Sequence, residues 1–185
     1  PDRVYRYMNE FIEWFNDSFD AVKQGELSYL ARAAIAHLWF ETIHPYDDGN
    51  GRIGRALADK ALSQFLGYST LASISTSILS QKEEYYSQLN KVSKSLMITE
   101  WLRFFYSAAI QSQEQAIDGV NKVLNKSRFW DFNTEHPLND RQIKAINRMF
   151  ELNPLEFNMS TKKYVNLTKC SPATATRDLA QLESW

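Results

Sequence analysis

The sequence predicts an all-α fold, and three observations support this prediction. Apolar residues recur every three or four positions in almost every segment, which places them on one face of a helix. No run has the continuous apolar character of a buried parallel strand. Capping residues and glycine or proline breakers stand at the ends of the periodic segments. With 185 residues, the chain has room for one ordinary domain and a smaller module.

The N-terminal third predicts three helices. Apolar residues from about Val4 to Phe19 form one stripe of an amphipathic helix. A second helix begins after the capping residue Ser28 and ends before Pro45, because the residue preceding a proline is pushed out of the helical region. A third helix runs from near Arg52 to Gly67, where the glycine ends it.

The middle of the chain predicts two more helices and a short irregular segment. Tyr68–Ser75 is polar and partly β-branched, and we expect a small hairpin flap there. Helical spacing resumes at about Ser77 and again over a long pattern from Thr99 to about Asn125. The periodicity breaks over Phe129–Leu138, which predicts a junction between domains.

The C-terminal part predicts three short helices. Asn139 and Gln142 form a capping box that opens the first of them. The second spans about Ser160 to Leu167, and the third begins with the pair Ser171-Pro172. A tight turn before the last helix is typical of a helix-turn-helix.

These boundaries define the expected domain organisation. We expect a core over residues 1–130, a linker over 131–138 and a second module over 139–185. Residue 1 is proline, and the last residues follow a helical pattern without a cap, so we expect the chain to be a fragment of a longer protein.

Composition excludes several classes of protein. Hydrophobic residues at 44% and charged residues at 23% exclude a disordered or collagen-like chain. No apolar stretch approaches the roughly 20 residues that a membrane helix needs. The single cysteine, Cys170, excludes an internal disulfide and favours a reducing compartment, so we expect a cytoplasmic location. With 21 basic and 22 acidic side chains, charge alone does not predict nucleic-acid binding.

The glycines are concentrated in one place. Three of only six, Gly49, Gly51 and Gly54, fall within the segment 44–55, which reads HPYDDGNGRIGR and is called the glycine loop below. Glycine and asparagine tolerate left-handed dihedrals, so successive backbone N–H groups can turn towards one point. Next to the positive end of a helix, this predicts an anion-binding site.

Charged residues around these glycines indicate the chemistry. Two guanidinium groups three residues apart, Arg52 and Arg55, favour a polyphosphate. A single carboxylate beside bound phosphates, here Asp48, is a usual way to hold Mg²⁺. A histidine imidazole such as that of His44 can accept a proton from a hydroxyl near neutral pH. Together they predict nucleotidyl or phosphoryl transfer to a hydroxyl.

The glycine loop closely resembles the signature of the Fic family, His-x-Phe-x-Asp/Glu-Gly-Asn-Gly-Arg-x-x-Arg. Every functional position matches, and Tyr46 stands where phenylalanine is usual. The resemblance extends over roughly residues 1–125 and implies a Fic helical core with a small hairpin flap.

The resemblance implies a protein adenylyltransferase that transfers AMP from ATP to a Ser, Thr or Tyr hydroxyl of a target protein. His44 would be the general base and Asp48 would hold Mg²⁺. The residues implied in nucleotide binding are Gly49, Asn50, Gly51, Arg52, Arg55, Tyr85 and Tyr86. The flap would align the target by strand-like pairing.

Alternatives remain open at this point. Doc kinases carry a lysine in place of the second glycine, so Gly51 argues against phosphorylation. The same site could transfer or remove another nucleotide or phosphate-linked group, or it could sense a nucleotide in a DNA-binding regulator. An inhibitory helix of the family's pattern is not found in these residues and could precede residue 1, and a homodimer is also open.

The segment 164–182 resembles the helix-turn-helix of winged-helix regulators. This implies a partial winged-helix module with DNA as a partner. Residues 139–185 carry seven basic and five acidic side chains, which is a small excess of positive charge for binding phosphates. On its last helix, Ala173, Leu179 and Leu182 are expected to pack inward, and Thr174, Thr176 and Arg177 are expected to face outward.

Overall fold

The structure is a computed structural model that describes residues 2–68, 73–95, 97–133, 137–152 and 158–184. These residues form nine helices and no strand, which confirms the all-α prediction. None of these helices is long and apolar enough to cross a bilayer. The helices are α1 (Asp2–Lys23), α2 (Tyr29–Ile43), α3 (Asn50–Leu66), α4 (Ile74–Ser80), α5 (Lys82–Ser95), α6 (Thr99–Phe132), α7 (Asp140–Glu151), α8 (Thr161–Thr168) and α9 (Pro172–Glu183).

The chain divides into two compact units. Unit 1 is Pro1–Ile117 and unit 2 is Asp118–Trp185. Each has its own cluster of buried apolar side chains. The expected partition at 131–138 stays a prediction.

Unit 1 is held together by contacts that cross from helix to helix. The indole N–H of Trp101 on α6 donates to the Ala34 carbonyl on α2 at 2.9 Å, and Trp101 is fully buried. Arg32 on α2 is 1% exposed, and its guanidinium donates to the Phe15 carbonyl on α1 at 2.6 Å and to Gln64 on α3 at 3.0 Å. These bonds fix α2 centrally, and α2 carries the start of the glycine loop at its C-terminal end.

The helices that flank the glycine loop differ slightly from prediction. Helix α3 begins at Asn50, two residues before Arg52, so part of the glycine loop lies in its first turn. Ser28 stands at the N-cap of α2 as predicted, but its side chain makes no capping hydrogen bond.

The structure describes only part of the expected flap over Tyr68–Ser75. Residues 69–72 lie outside the described residues. Helix α4 starts at Ile74, three residues earlier than the predicted Ser77. The reason is a cap supplied by α3, since the Asp59 carboxylate accepts hydrogen bonds from the Ser73 hydroxyl at 3.2 Å and from the Ile74 N–H at 3.4 Å.

The prediction that the long helix ends at about Asn125 is wrong, because α6 continues through Phe132. The rings of Phe129 and Phe150 on α7 meet edge to face with centroids 5.4 Å apart. The last turns of α6 are thus stabilised by a residue of another helix, and the spacing of apolar residues within α6 could not predict this contact. Of the expected linker, residues 134–136 lie outside the described residues.

Unit 2 confirms the predicted caps. Asn139 and Gln142 form a full capping box on α7, and the hydroxyl groups of Ser160 and Ser171 cap α8 and α9. The expectation that Ala173 packs inward is wrong, because it is exposed, whereas Ala175 is fully buried. The winged-helix assignment stays a prediction.

A buried carboxylate sets the inward face of α9. Asp178 is 2% exposed and accepts hydrogen bonds from Arg141 on α7 at 2.8 Å and from the Tyr164 hydroxyl on α8 at 3.0 Å. Asn139 and Gln142 also bond to Asp178. One side chain of α9 therefore bonds to both of the other helices.

Candidate active site

The glycine loop is closed by one buried side chain. The Asn50 carbonyl oxygen accepts a hydrogen bond from the Tyr46 backbone N–H at 3.0 Å, and the Asn50 amide donates back to the Tyr46 carbonyl. Asn50 is 3% exposed, and Gly49 beside it has φ 89°, a left-handed conformation that suits glycine. The chain between α2 and α3 is thereby fixed without any ligand.

This closure leaves backbone donors at the start of α3. The first bond that closes a helical turn joins the Ile53 N–H to the Gly49 carbonyl at 3.0 Å. The N–H groups of Gly51 and Arg52 precede it, so they have no carbonyl of the helix to bond. Such donors at a positive helix end are suited to bind an anion.

Gly51 is favoured by the narrow space beside it and not by its dihedral angles. A Cβ at this position would lie 3.1 Å from Nη1 of Arg55 and 3.6 Å from Oε1 of Glu41. The absence of a side chain at Gly51 therefore lets the half-buried Arg55 lie against the backbone of the glycine loop.

The space beside Gly54 is narrower than that beside Gly51. A Cβ here would lie 2.9 Å from both His37 Nδ1 and Glu41 Oε1, closer than real Cβ contacts. His37 cannot move aside easily, because its ring stacks on Trp101 with centroids 5.5 Å apart and its Nε2 lies 3.1 Å from the Tyr85 hydroxyl. Gly54 therefore lets α3 approach α2 closely beneath the glycine loop.

The outer charged side chains are exposed. The guanidinium of Arg52 lies 3.3 Å from the Asp48 carboxylate, with the two side chains 75% and 93% exposed. An exposed ion pair of this kind contributes little stability, so both groups can turn to a ligand at small cost.

His44 ends α2 in a left-handed conformation with φ 50°. Its backbone N–H donates to the Phe40 carbonyl at 3.0 Å, and its side chain is exposed. The imidazole is therefore accessible at the edge of the glycine loop. Tyr46 is 52% exposed with its ring centroid 6.4 Å from that of Phe40, so the ring retains an aromatic neighbour in the core while much of it remains in solvent.

The buried His37 and the half-buried Glu41 lie under the glycine loop. Burial lowers the pKa of His37 to about 4, so its ring is neutral at pH 7. Its Nδ1 makes no well-formed hydrogen bond, although the Gly54 backbone lies beside it. Oε1 of Glu41 is buried and has no hydrogen-bond partner among the described residues, and burial raises the pKa of this carboxyl.

The two tyrosines implied in nucleotide binding differ in position. Tyr85 is 2% exposed, belongs to the core of unit 1 and places its hydroxyl 3.1 Å from His37. Burial raises the pKa of Tyr85, so the phenol keeps its proton. Tyr86 is 56% exposed, with its ring centroid 5.0 Å from that of Tyr85.

Sequence reasoning missed the roles of His37 and Glu41. The signal that could have found both is their spacing, since His37 and Glu41 stand four residues apart on one side of α2, shortly before His44.

Within the described residues, no group of three or more His, Cys, Asp and Glu side chains could enclose a metal ion. Asp48 is a single exposed carboxylate beside the N-terminus of α3. Mg²⁺ bound to one carboxylate, phosphate oxygens and water fits this arrangement.

Comparison with known proteins agrees with the loop geometry. The Fic/DOC family model matches residues 1–62. Protein adenylyltransferase fic-1 of Caenorhabditis elegans and that of Caenorhabditis briggsae are each 35% identical to this chain over 57 residues. The match covers 31% of this chain and 10% of each relative. Residues 1–62, which include the whole glycine loop, are therefore similar in sequence to the Fic/DOC family.

Proposed function

We propose that this chain transfers AMP from ATP to a hydroxyl group of a protein. The observation that carries the proposal is the glycine loop, which Asn50 closes beside backbone donors that have no helix carbonyl to bond, with two arginines and an exposed histidine nearby. The names of the two relatives, both protein adenylyltransferases, support the same reaction.

The phosphates of ATP would lie at the N-terminus of α3. Gly49, Asn50 and Gly51 would cradle them through backbone groups, since the Asn50 side chain already bonds to the backbone of Tyr46. Arg52 and Arg55 would bind the β- and γ-phosphates. Arg52 approaches from the exposed side, whereas Arg55 lies against Gly51.

His44 would act as the general base. Its imidazole accepts the proton of the target hydroxyl as the hydroxyl oxygen attacks the α-phosphorus. A new O–P bond forms, the bond from the α-phosphorus to the bridging oxygen breaks, and pyrophosphate leaves. The product is an AMP ester of the target side chain.

Asp48 would hold Mg²⁺, and its exposed carboxylate needs only to release Arg52 to do so. The ion would neutralise charge on the phosphates of bound ATP. Tyr85 and Tyr86 stay proposed as residues of the base pocket, and only Tyr86 offers an exposed ring. The target protein, an inhibitory helix and a homodimer remain predictions.

The test uses ATP labelled on either the α- or the γ-phosphate, with Mg²⁺, the chain and a panel of hydroxyl-bearing protein substrates. We expect label from the α-phosphate only, and a loss of about 10²–10⁴-fold in rate for His44→Ala with nucleotide binding retained. Asp48→Ala should also lose transfer, whereas the neighbouring control Asp47→Ala should keep it.

Two results would contradict the proposal. Transfer of the γ-phosphate would assign a kinase, and transfer that survives His44→Ala would remove the proposed base. Transfer or removal of a different phosphate-linked group at the same site is the second candidate, and failure of ATP to shift the melting temperature of the chain would favour it.

A further inference from the structure

We infer that the helix-turn-helix of unit 2 binds double-stranded DNA, with α9 in the major groove. The inference concerns residues 158–184 and does not depend on the transfer reaction proposed for unit 1.

The first argument is the geometry of the turn. Only three residues, 169–171, separate α8 from α9, and Lys169 adopts a left-handed conformation with φ 56°. Ser171 then caps α9, with its hydroxyl accepting from the Thr174 N–H at 3.2 Å. A turn of this length between two packed helices is the helix-turn-helix arrangement, in which the second helix reads the major groove.

The second argument is which side of α9 faces outward. Asp178 points into unit 2 and is fixed there by Arg141 and Tyr164. The preceding residues Thr176 and Arg177 are exposed as a consequence of this register. The first half of α9 therefore presents a hydroxyl and a guanidinium to solvent, Asp178 is buried, and the exposed carboxylate of Glu183 lies at the far end of the helix.

The third argument is the segregation of charge. Residues 158–177 contain no acidic side chain and carry four cations, all of them exposed: Lys162, Lys163, Lys169 and Arg177. The small net charge of residues 139–185 conceals this, because it counts Asp178, whose charge is buried and paired with Arg141 at 2.8 Å. The surface of α8, the turn and the start of α9 is more basic than the composition of the module indicates.

These features fit a DNA duplex better than an acidic protein. The 12 residues of α9 span about 18 Å, a length that the major groove accepts. Lysines bind phosphates as point charges, and the planar fork of Arg177 can bind a phosphate of any duplex or, at a matching site, a guanine edge. The outward positions Ala173, Thr176 and Arg177 offer no large apolar anchor of the kind that fixes a protein partner.

The test measures fluorescence anisotropy of a labelled random-sequence DNA duplex with the whole chain over a series of salt concentrations. Four phosphate contacts predict an affinity that falls about 100-fold between about 50 and 200 mM salt. Arg177→Ala should weaken binding about tenfold at the lower salt and reduce the salt slope by about one. Lys91→Ala removes one exposed cation from α5 and serves as the matched control, with no expected change.

Arg177 is exposed, so its substitution should leave the fold intact, which circular dichroism checks. The inference is overturned if the duplex does not bind at about 50 mM salt, or if Arg177→Ala and Lys91→Ala behave alike. It is also overturned if polyglutamate or single-stranded RNA binds more tightly than the duplex, since those outcomes assign a different class of partner.

Discussion

At residue scale, the two glycines inside the first turns of α3 are selected by space. Gly51 and Gly54 have ordinary helical dihedrals, and a side chain at either would meet atoms of α2 or of Arg55. The difference between them lies in what would have to move. Arg55 is the end of a flexible side chain, whereas His37 is clamped by Trp101 and Tyr85.

Gly54→Ala should therefore destabilise unit 1. The added Cβ would overlap His37 and Glu41, and overpacking of this kind costs about 1–3 kcal/mol in the free energy of unfolding. Chemical denaturation followed by tryptophan fluorescence measures it. The control is Gly119→Ala in α6, where nothing lies within 4 Å and alanine should stabilise by up to about 1 kcal/mol. Unchanged stability of Gly54→Ala would contradict the close approach of α2 and α3.

The sequence predicts the exposed half of the site and not the buried half. The glycine loop is predictable because its function depends on backbone geometry, which glycine spacing reveals. His37 and Glu41 act through burial, and burial depends on how α2 and α3 pack. The spacing of His37 and Glu41 places them on one side of α2, but it does not show that α3 packs against that side.

At the scale of elements, Asp178 joins three helices through one carboxylate. Asp178→Asn removes the charge that Arg141 and Tyr164 bond, and we expect a loss of about 2 kcal/mol in the stability of unit 2. The exposed carboxylate of Glu183 on the same helix provides the control, because Glu183→Gln should change stability by less than about 0.5 kcal/mol. Thermal unfolding of the variants measures both.

The same bond predicts a pH dependence. The Arg141 guanidinium holds the pKa of Asp178 below its ordinary value of 3.8. Folding therefore favours the ionised carboxylate of Asp178. Its contribution to stability is complete above the pKa that Asp178 has in the unfolded chain, and it is lost as the pH falls through the lower pKa that Asp178 has in the folded chain. The wild type should therefore lose its greater stability relative to Asp178→Asn as the pH falls below about 4. A constant difference down to pH 2 would show that this carboxylate does not titrate as inferred.

The helix caps of unit 2 were more predictable than the faces and lengths of the helices. The caps at Asn139, Ser160 and Ser171 depend on residues within one turn, and all three are confirmed. The inward face of α9 was assigned wrongly at Ala173 because hydrophobic spacing treats a carboxylate as exposed, and Asp178 is the residue that is buried. The end of α6 was missed because Phe150 lies on a different helix.

At the scale of the whole molecule, two separate cores predict two unfolding transitions. Unit 1 buries a large set of aromatic and aliphatic side chains, whereas the described core of unit 2 centres on Ala145, Tyr164 and Ala175. A smaller core supports less stability, so unit 2 should melt first. Differential scanning calorimetry of the whole chain should show Gly54→Ala lowering the upper transition and Asp178→Asn the lower. A single transition that both variants lower equally would contradict this.

The closure of the glycine loop by Asn50 has a thermodynamic consequence for whatever anion binds there. Ordering a residue costs about 1–2 kcal/mol of conformational entropy, and here folding itself orders the residues between Tyr46 and Asn50. A phosphate that arrives meets donors already in position and gives up only its own freedom and its hydration. The affinity of the site for anions is thus coupled to the integrity of two hydrogen bonds that never touch the ligand.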